Sequence, residues 1–342
     1  MQDRFLRACW RKPVDCTPAW YMRQAGRYLA EYRELREGHG ILEIAKTPKL
    51  AAEIARLPVE KLGVDAAILF ADIMLPLEPM GVGFHIEDEV GPVIHEPIAE
   101  RKDVDRLAAI DPERDLTFIA ETIGLLRDAV DVPVIGFAGA PFTLASYLIE
   151  GRPSRDFART KALMFRDEKT WQRLMDVLAD MVATYLLFQV KAGAHALQLF
   201  DSWVGALGPQ DYARYVQPYS RHVFEETKGL GVPRIHFGTG TSYLLELMRD
   251  AGGEVLGIDW RIPIDEACRR LGEGVAVQGN LEPAALLAGK EFAISRTRQV
   301  LEQVGGRPGH IFNLGHGVPP GASPDVLAAV TETVHEYSVG SL

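Results

Sequence analysis

Short apolar runs that end in a polar residue or a glycine recur along this chain, and most are separated by segments of helical periodicity. Short apolar strands alternating with amphipathic helices are typical of a parallel sheet. Eight such units predict a closed (β/α)₈ TIM barrel, and an open, doubly wound sheet is the alternative. The runs are residues 17–22, 66–71, 132–138, 195–200, 233–237, 254–259, 275–279 and 310–315.

Two segments depart from this repeat. Residues 76–100 follow the second run and are rich in proline and glycine, so we expect a β-hairpin excursion there. Residues 139–156 follow the third run, and we expect a loop that covers a ligand. No linker or low-complexity tract divides the sequence, which predicts a single domain over residues 1–342.

The charge balance narrows the classes of partner. The chain has 37 Lys and Arg against 47 Asp and Glu, a formal charge of −10, which argues against nucleic-acid binding. An anionic small molecule is still compatible, because its binding depends on local charge. Three cysteines form no disulfide framework, and we find no run of about 20 apolar residues for a membrane span. We therefore expect a cytoplasmic protein with no membrane partner.

In a barrel, functional groups lie where the strands end. Arg23 and Arg27 follow the first run and are four residues apart, so a helical turn would place both guanidinium groups on one face. Such a pair can bind carboxylates bidentately. The alternative is a surface pair bridged to Glu31 or Glu34.

Single polar residues follow other runs. Asp72 closes the apolar run ILFAD, where a carboxylate needs donors or a cation. It is either a structural acid or a fixed anion that stabilises developing positive charge. His316 lies between two glycines, as a ligand-binding residue or as part of a helix-entry turn. For Tyr147 and Ser202, structural hydrogen bonds are the simpler interpretation. The histidines form no HxxxH or HExxH array, so a metal site is weakly supported.

Two long strings and three short ones carry a family resemblance. PAWYMRQAGR at residues 18–27 and GFAGAPFTLASYLIEG at residues 136–151 resemble the signatures of the uroporphyrinogen decarboxylase family. ILFADIM, LFDSW and FNLGHG are similar to further segments of that family, in the same order along the chain.

The resemblance implies a single (β/α)₈ barrel that forms a homodimer and uses no metal or organic cofactor. It implies decarboxylation of the four acetate side chains of uroporphyrinogen III, which yields coproporphyrinogen III in porphyrin and heme biosynthesis. It assigns catalysis to Asp72 and Arg23. It assigns substrate binding to Arg23, Gln24, Ala25, Gly26, Arg27, Asp72, Tyr147, Ser202 and His316.

The implied chemistry fits these residue types. Loss of carbon dioxide leaves an electron pair, which a pyrrole protonated at a ring carbon can accept without a cofactor. Asp72 would stabilise that cation and accept hydrogen bonds from pyrrole N–H groups. The arginines would hold carboxylates, and a local basic cleft must outweigh the net negative charge. Two alternatives are a zinc-dependent thiol or corrinoid methyltransferase of the same superfamily and a non-catalytic porphyrin-binding module.

Overall fold

The computed structural model describes residues 1–87 and 90–338. In this part of the chain a parallel sheet of seven strands has the order β1-β4-β5-β6-β7-β8-β9. The strands are β1 (Ala67–Ile68), β2 (Phe84–Glu87), β3 (Gly91–Ile94), β4 (Val134–Gly139), β5 (Ala196–Asp201), β6 (Arg234–Gly238), β7 (Val255–Gly257), β8 (Ala276–Gln278) and β9 (His310–Ile311).

Helices connect successive strands. They are α1 (Arg4–Cys9), α2 (Ala30–Gly38), α3 (Ile41–Lys46), α4 (Pro48–Leu62), α5 (Arg101–Val104), α6 (Pro112–Asp115), α7 (Thr117–Ala129), α8 (Pro141–Glu150), α9 (Ala158–Arg166), α10 (Glu168–Ala192), α11 (Pro209–Tyr215), α12 (Gln217–Glu226), α13 (Leu245–Ala251), α14 (Ile264–Leu271), α15 (Lys290–Val304) and α16 (Pro324–Ser338). Three short 3₁₀ helices cover Leu75–Leu77, Val204–Ala206 and Pro283–Ala288.

The strand order decides between the two predicted architectures. A doubly wound sheet reverses its strand order at a switch point. Here each parallel strand pairs with the next parallel strand along the chain, from β1 to β9, without a reversal. The α/β class and the sequential parallel sheet are thus confirmed.

The first predicted strand differs from the expectation. Within residues 17–22 the structure has only an isolated parallel bridge, between Ala19 and Phe312. The Trp20 N–H donates to the Phe312 carbonyl at 3.2 Å, and the Asp65 N–H donates to the Ala19 carbonyl at 2.8 Å. Pro18 lacks an N–H for a ladder, and Arg23 turns the chain at φ +58°. The pairing is consequently too short for a regular strand.

The predicted hairpin excursion is confirmed. β2 and β3 pair antiparallel, with Phe84 opposite Ile94 and Glu87 opposite Gly91. Asp88 and Glu89 of the predicted segment lie outside the described residues. The Ile94 N–H donates to the Gly151 carbonyl at 2.8 Å, which attaches the hairpin to the end of α8.

The loop expected at residues 139–156 is largely a helix, so that expectation is wrong. Pro141 begins α8 at a position where no backbone donor is needed, and Gly151 ends it in the left-handed conformation. Nine of the ten residues of this helix are buried, so the rest of the protein encloses it on nearly all sides. Such a helix is part of the core rather than a mobile cover.

The segments of helical periodicity between the runs form helices, and the segment over residues 209–228 is divided into two. Residues 209–228 form α11 and α12 rather than one helix. Pro218 has no N–H to donate to the carbonyl of Arg214, and the helix breaks at Val216. In the described part of the chain, no helix is long and apolar enough to cross a bilayer.

Candidate active site at the carboxyl ends of the strands

Asp72 lies just beyond β1, where the chain turns into the first 3₁₀ helix. Its Oδ1 accepts a hydrogen bond from the Met74 N–H at 2.8 Å, and the side chain is half-buried. Burial raises the pKa of the Asp72 carboxyl, while the Met74 N–H and the charge of Arg23 act in the opposite direction. Among the described residues no cation lies within ion-pair distance of this carboxylate. It is therefore a carboxyl group with no ion-pair partner within the described residues.

Arg23 is held in an unusual backbone conformation. It has φ +58°, in the left-handed region that side chains seldom adopt, and its side chain is exposed. A Cβ built on Gly317 would lie 2.5 Å from Arg23 Cδ, so the side chain lies directly over that glycine. In the described structure the guanidinium has no carboxylate partner. It is thus a cation with its donors available to a ligand.

Arg27 is likewise exposed and lacks an ion pair within the described residues. The predicted bridge to Glu31 does not form, since Glu31 pairs with Lys61. The helical face expected for Arg23 and Arg27 is also wrong, because residues 22–29 form turns and helix α2 begins only at Ala30. The left-handed residue at position 23 is incompatible with a helix.

The residues between the two arginines have different environments. Gln24 is fully buried, and its amide donates to the Ala66 carbonyl at 3.0 Å while accepting from the Tyr21 N–H at 3.0 Å. Its side chain thus fixes the loop against the strand region. Ala25 and Gly26 are partly exposed, and a Cβ on Gly26 would approach the Arg23 carbonyl to 3.0 Å. Small residues allow the backbone to lie close to a ligand here.

Tyr147 projects from α8 toward Asp72. Burial and the charge of Asp72 raise the pKa of Tyr147 to about 12, with Arg23 acting against them. Its ring packs edge-on against Trp203 at 5.9 Å between centroids. The phenol therefore remains protonated at neutral pH and can donate a hydrogen bond. Ser202, next to Trp203 after β5, is partly exposed.

His316 lies in the glycine-flanked turn beyond β9. Burial and the positive charges of Arg23 and Arg261 lower the pKa of His316 to about 4, against a smaller effect of Asp259. The ring is neutral at physiological pH and can offer one donor and one acceptor. Arg23 is thus within electrostatic range of Asp72, Tyr147 and His316.

A buried polar cluster that was not predicted from the sequence lies at the end of β5. Asp201 ends β5 with its carboxylate fully buried, 3.5 Å from His236 Nε2 and 3.4 Å from the hydroxyls of Thr143 and Ser220. Burial raises the pKa of Asp201. Thr143 is one turn before Tyr147 on α8, so the cluster joins the elements that carry Tyr147 and Ser202. The acidic residue Asp201 at the end of an apolar run was the sequence signal that could have identified this cluster.

Metal ligands are not clustered in the part of the chain that the structure describes. No three His, Cys, Asp or Glu side chains are arranged there to hold an ion. Cys9 lies on α1, Cys16 in the following loop and Cys268 on α14, all buried. A thiolate–histidine zinc site beyond the strand ends would need a cysteine there, and these three positions do not provide one.

The protein-family model described as "Uroporphyrinogen decarboxylase (URO-D)" matches residues 1–337. A uroporphyrinogen decarboxylase of Sorangium cellulosum is 54% identical over 344 residues, covering 100% of this chain and 98% of its own. One from Thermus thermophilus is 50% identical, covering 99% of both chains.

A solved structure titled as a methyltransferase from Methanosarcina mazei has a TM-score of 0.82 at 20% identity, covering 98% of both chains. At that identity the likeness concerns the fold alone. The family model and the full-length relatives define the family directly: this chain belongs to the uroporphyrinogen decarboxylase family.

Proposed function

We propose that this protein is a carboxy-lyase that removes carbon dioxide from the four acetate side chains of uroporphyrinogen III. The product is coproporphyrinogen III, an intermediate of porphyrin and heme biosynthesis. Membership of the family supports the reaction. The single structural observation that carries it is that the Asp72 carboxyl and the Arg23 guanidinium interact electrostatically while neither has an ion-pair partner within the described residues. One group suits pyrrole N–H donors, and the other suits the carboxylates of the same molecule.

The reaction begins with protonation of a pyrrole carbon next to the acetate-bearing position. The Cα–carboxylate bond then breaks, carbon dioxide leaves, and its bonding electrons neutralise the ring cation as an exocyclic methylene. A second proton adds to this methylene carbon, and the ring carbon loses the first proton, which restores the pyrrole and leaves a methyl group. The net change at each acetate is uptake of one proton and release of one carbon dioxide. The pyrrole itself is the electron acceptor, so no cofactor is required.

Asp72 acts on the cationic intermediate. A preorganised carboxylate in a partly dry site stabilises positive charge by several kcal/mol, and its position accepts pyrrole N–H donors. A guanidinium group is a poor proton donor in general acid catalysis. We therefore assign Arg23 to holding the reacting acetate beside Asp72, with a protonated water as the alternative proton donor.

The remaining residues bind the periphery of the macrocycle. We assign carboxylate binding to Arg27, and hydrogen bonds to side-chain carboxylates to Tyr147, Ser202 and neutral His316. The Gln24 side chain fixes the loop that carries Arg23 and Arg27 against the strand region, while Ala25 and Gly26 let the loop backbone approach the substrate. The exposure of the loop and the protonated Tyr147 phenol support these roles.

We further propose that the sheet closes as a (β/α)₈ barrel, with residues 18–20 completing the ring between β9 and β1. The hydrogen bonds of Ala19 and Trp20 to both neighbours support closure. A single domain over residues 1–342, a homodimer and a cytoplasmic location remain predictions.

The test is incubation of the purified protein with uroporphyrinogen III under anaerobic, reducing conditions without added metal or cofactor. We expect successive hepta-, hexa-, penta- and tetracarboxylate products, resolved chromatographically after oxidation. Absence of carboxyl loss would refute the proposal. Stoichiometric tightly bound zinc together with methyl transfer to a thiol would favour the methyltransferase alternative. Binding without turnover would favour the non-catalytic module.

The role of Arg23 as a carboxylate-binding residue is tested with the Arg23→Ala variant. We expect about a 10- to 100-fold weaker affinity for the octacarboxylate substrate, because one charge-assisted bidentate contact is lost. Affinity of the parent should also fall with rising salt. Unchanged substrate affinity in the variant would show that Arg23 is not a carboxylate ligand.

A further inference from the structure

The loop after β7 presents a third cation near the proposed site. Asp259, in this loop, is fully buried and accepts hydrogen bonds from the Arg261 N–H at 3.0 Å and from Arg261 Nη1 at 2.6 Å. It also accepts from the Gly240 N–H, in the loop after β6. The Arg261 side chain is thus anchored at one edge by a carboxylate that is itself fixed to two loops.

The guanidinium of Arg261 is oriented by stacking. Its Cζ lies 3.9 Å from the centroid of the Trp260 ring, within the range of a cation–π contact. The side chain is nonetheless 47% exposed. Nε and Nη2 donate no hydrogen bond within the described residues. Anchoring by one edge and one face leaves a rigid group with outward donors, which is suited to binding a planar anion.

Arg261 is next to the turn that carries His316. A Cβ built on Gly315 would lie 2.4 Å from the Trp260 backbone nitrogen and 3.0 Å from the Asp259 carbonyl carbon. The two loops are therefore in direct backbone contact. The positive charge of Arg261 also reaches the His316 ring and helps to lower the pKa of His316. Arg23, Gly317, His316 and Arg261 form a continuous arc at the carboxyl ends of the strands.

A structural role alone does not account for this arrangement. An arginine that only compensated the buried charge of Asp259 could place both edges of its guanidinium against protein. Instead, half of the group faces out beside the binding residues. The substrate of the proposed function has eight carboxylates, whereas Arg23 and Arg27 are the only arginines assigned to it so far.

We propose that Arg261 is an additional substrate-binding residue, which holds a side-chain carboxylate of the tetrapyrrole next to the one that contacts His316. This inference rests on the proposed function for the identity of the anion. Asp259 and Trp260 act as positioning residues that fix the guanidinium. The third cation contributes to the local basic cleft that an octa-anionic substrate requires in a chain of net charge −10.

The test compares three variants. Arg261→Gln removes the donor fork, and Asp259→Asn combined with Arg261→Gln avoids leaving a buried carboxylate unpaired, which protects folding. Arg269→Gln, on the outer side of α14 with 71% exposure, removes the same charge away from the strand ends and is the matched control. Circular dichroism and the melting temperature establish that each variant is folded.

The measurements are KM and kcat with uroporphyrinogen III, and the dissociation constant of uroporphyrin III, an unreactive octacarboxylate probe, from quenching of tryptophan fluorescence. We expect both Arg261 variants to raise KM and the dissociation constant about 10- to 100-fold with kcat changed less than threefold. Their salt dependence should become shallower than that of the parent. Arg269→Gln should match the parent within twofold.

The outcomes separate this inference from the proposed function. If the parent turns over uroporphyrinogen but both Arg261 variants bind the probe within twofold of the parent, the inference is overturned. If only the single variant binds weakly, Arg261 serves Asp259 rather than the substrate, and the inference is likewise overturned. If the parent shows no turnover but the folded Arg261 variants bind the probe weakly, the proposed reaction fails while the anion site stands.

Discussion

Replacing Asp72 by Asn tests the central electrostatic argument. The amide is isosteric and can still accept the Met74 hydrogen bond, so the turn beyond β1 should be retained. What disappears is the negative charge that stabilises the pyrrole cation in the proposed mechanism. Since no cation within the described residues neutralises this charge by ion pairing, nearly all of its effect is available to the substrate.

The size of the loss follows from Coulomb's law. Opposite unit charges about 4 Å apart attract by about 4 kcal/mol at an effective dielectric constant of about 20. Asp72 is half-buried, which favours a value of about 3–4 kcal/mol. Because about 1.4 kcal/mol corresponds to a tenfold change in rate, kcat should fall by about 10²- to 10³-fold. Affinity for coproporphyrinogen should change much less, because the pyrrole rings of the product carry no positive charge.

The same substitution should stabilise the unliganded fold. Burial raises the pKa of Asp72 in the folded state, so the folded state binds this proton more tightly than the unfolded state. Ionisation of the group thus costs stability at neutral and alkaline pH, and Asp72→Asn removes that cost. The gain should shrink as pH falls toward the ordinary carboxyl pKa.

Chromatographic analysis of carboxylate products gives kcat, and urea denaturation at pH 8 and pH 5 gives the stability difference. Tyr219→Phe, on α12, is a folded control that alters a titratable group elsewhere. The reasoning is refuted if Asp72→Asn retains more than a tenth of the parental kcat, or if it lowers stability at pH 8.

Three further predictions use other contacts. Gly317→Ala places a Cβ 2.5 Å from Arg23 Cδ and should raise KM about tenfold, because the new methyl group displaces the Arg23 side chain. Gly124→Ala in α7 is the control: this glycine has open space around it, so KM should stay unchanged and stability should rise by up to about 1 kcal/mol. Asp65→Asn should lower the free energy of unfolding, measured by urea denaturation, by about 3–5 kcal/mol, because the buried Asp65 carboxylate accepts hydrogen bonds from Arg4 Nη1 at 2.7 Å and from the Ala19 N–H at 2.7 Å. The NMR titration of His316 should have its midpoint near pH 4, and Arg23→Ala should move it upward, since the Arg23 charge lowers this pKa.

The sequence was sufficient to predict most of the fold because apolar periodicity reports burial directly. β4 and β5 have almost continuous apolar sequences and are buried along nearly their whole length. The pattern led to a wrong prediction for residues 139–156. They begin with small residues after a strand, which suggested a loop, but they continue into a helix that is buried on nearly all sides. Local composition does not distinguish a ligand cover from a buried helix.

The candidate site was predictable where single residues follow strands, and less so where the chain folds back. Asp72 and His316 could be identified as candidate site residues because each follows an apolar run. The left-handed backbone of Arg23 and its contact with Gly317 depend on a pairing of residues almost 300 positions apart, which spacing does not reveal. Arg261 could not be identified from the sequence either, because its orientation depends on tertiary contacts of Asp259 with the loop after β6.

The loops beyond the strands contact one another through glycines, and this explains how the charges are held. A Cβ on Gly205 would lie 2.1 Å from the Thr239 carbonyl oxygen, and one on Gly315 would lie 2.4 Å from the Trp260 nitrogen. Glycines at these positions allow the loops to pack closely, and closely packed loops favour charged groups that need little reorganisation when a ligand binds.

Asp72 and Arg23 form no ion pair within the described residues, although the charge of Arg23 acts on the Asp72 carboxyl. Each remains incompletely satisfied until a ligand supplies N–H donors to Asp72 and a carboxylate to Arg23. A reduced tetrapyrrole with acetate side chains offers both on one ring. The stability that the unliganded fold gives up by burying Asp72 should consequently return on binding, as a higher melting temperature in the presence of substrate or product.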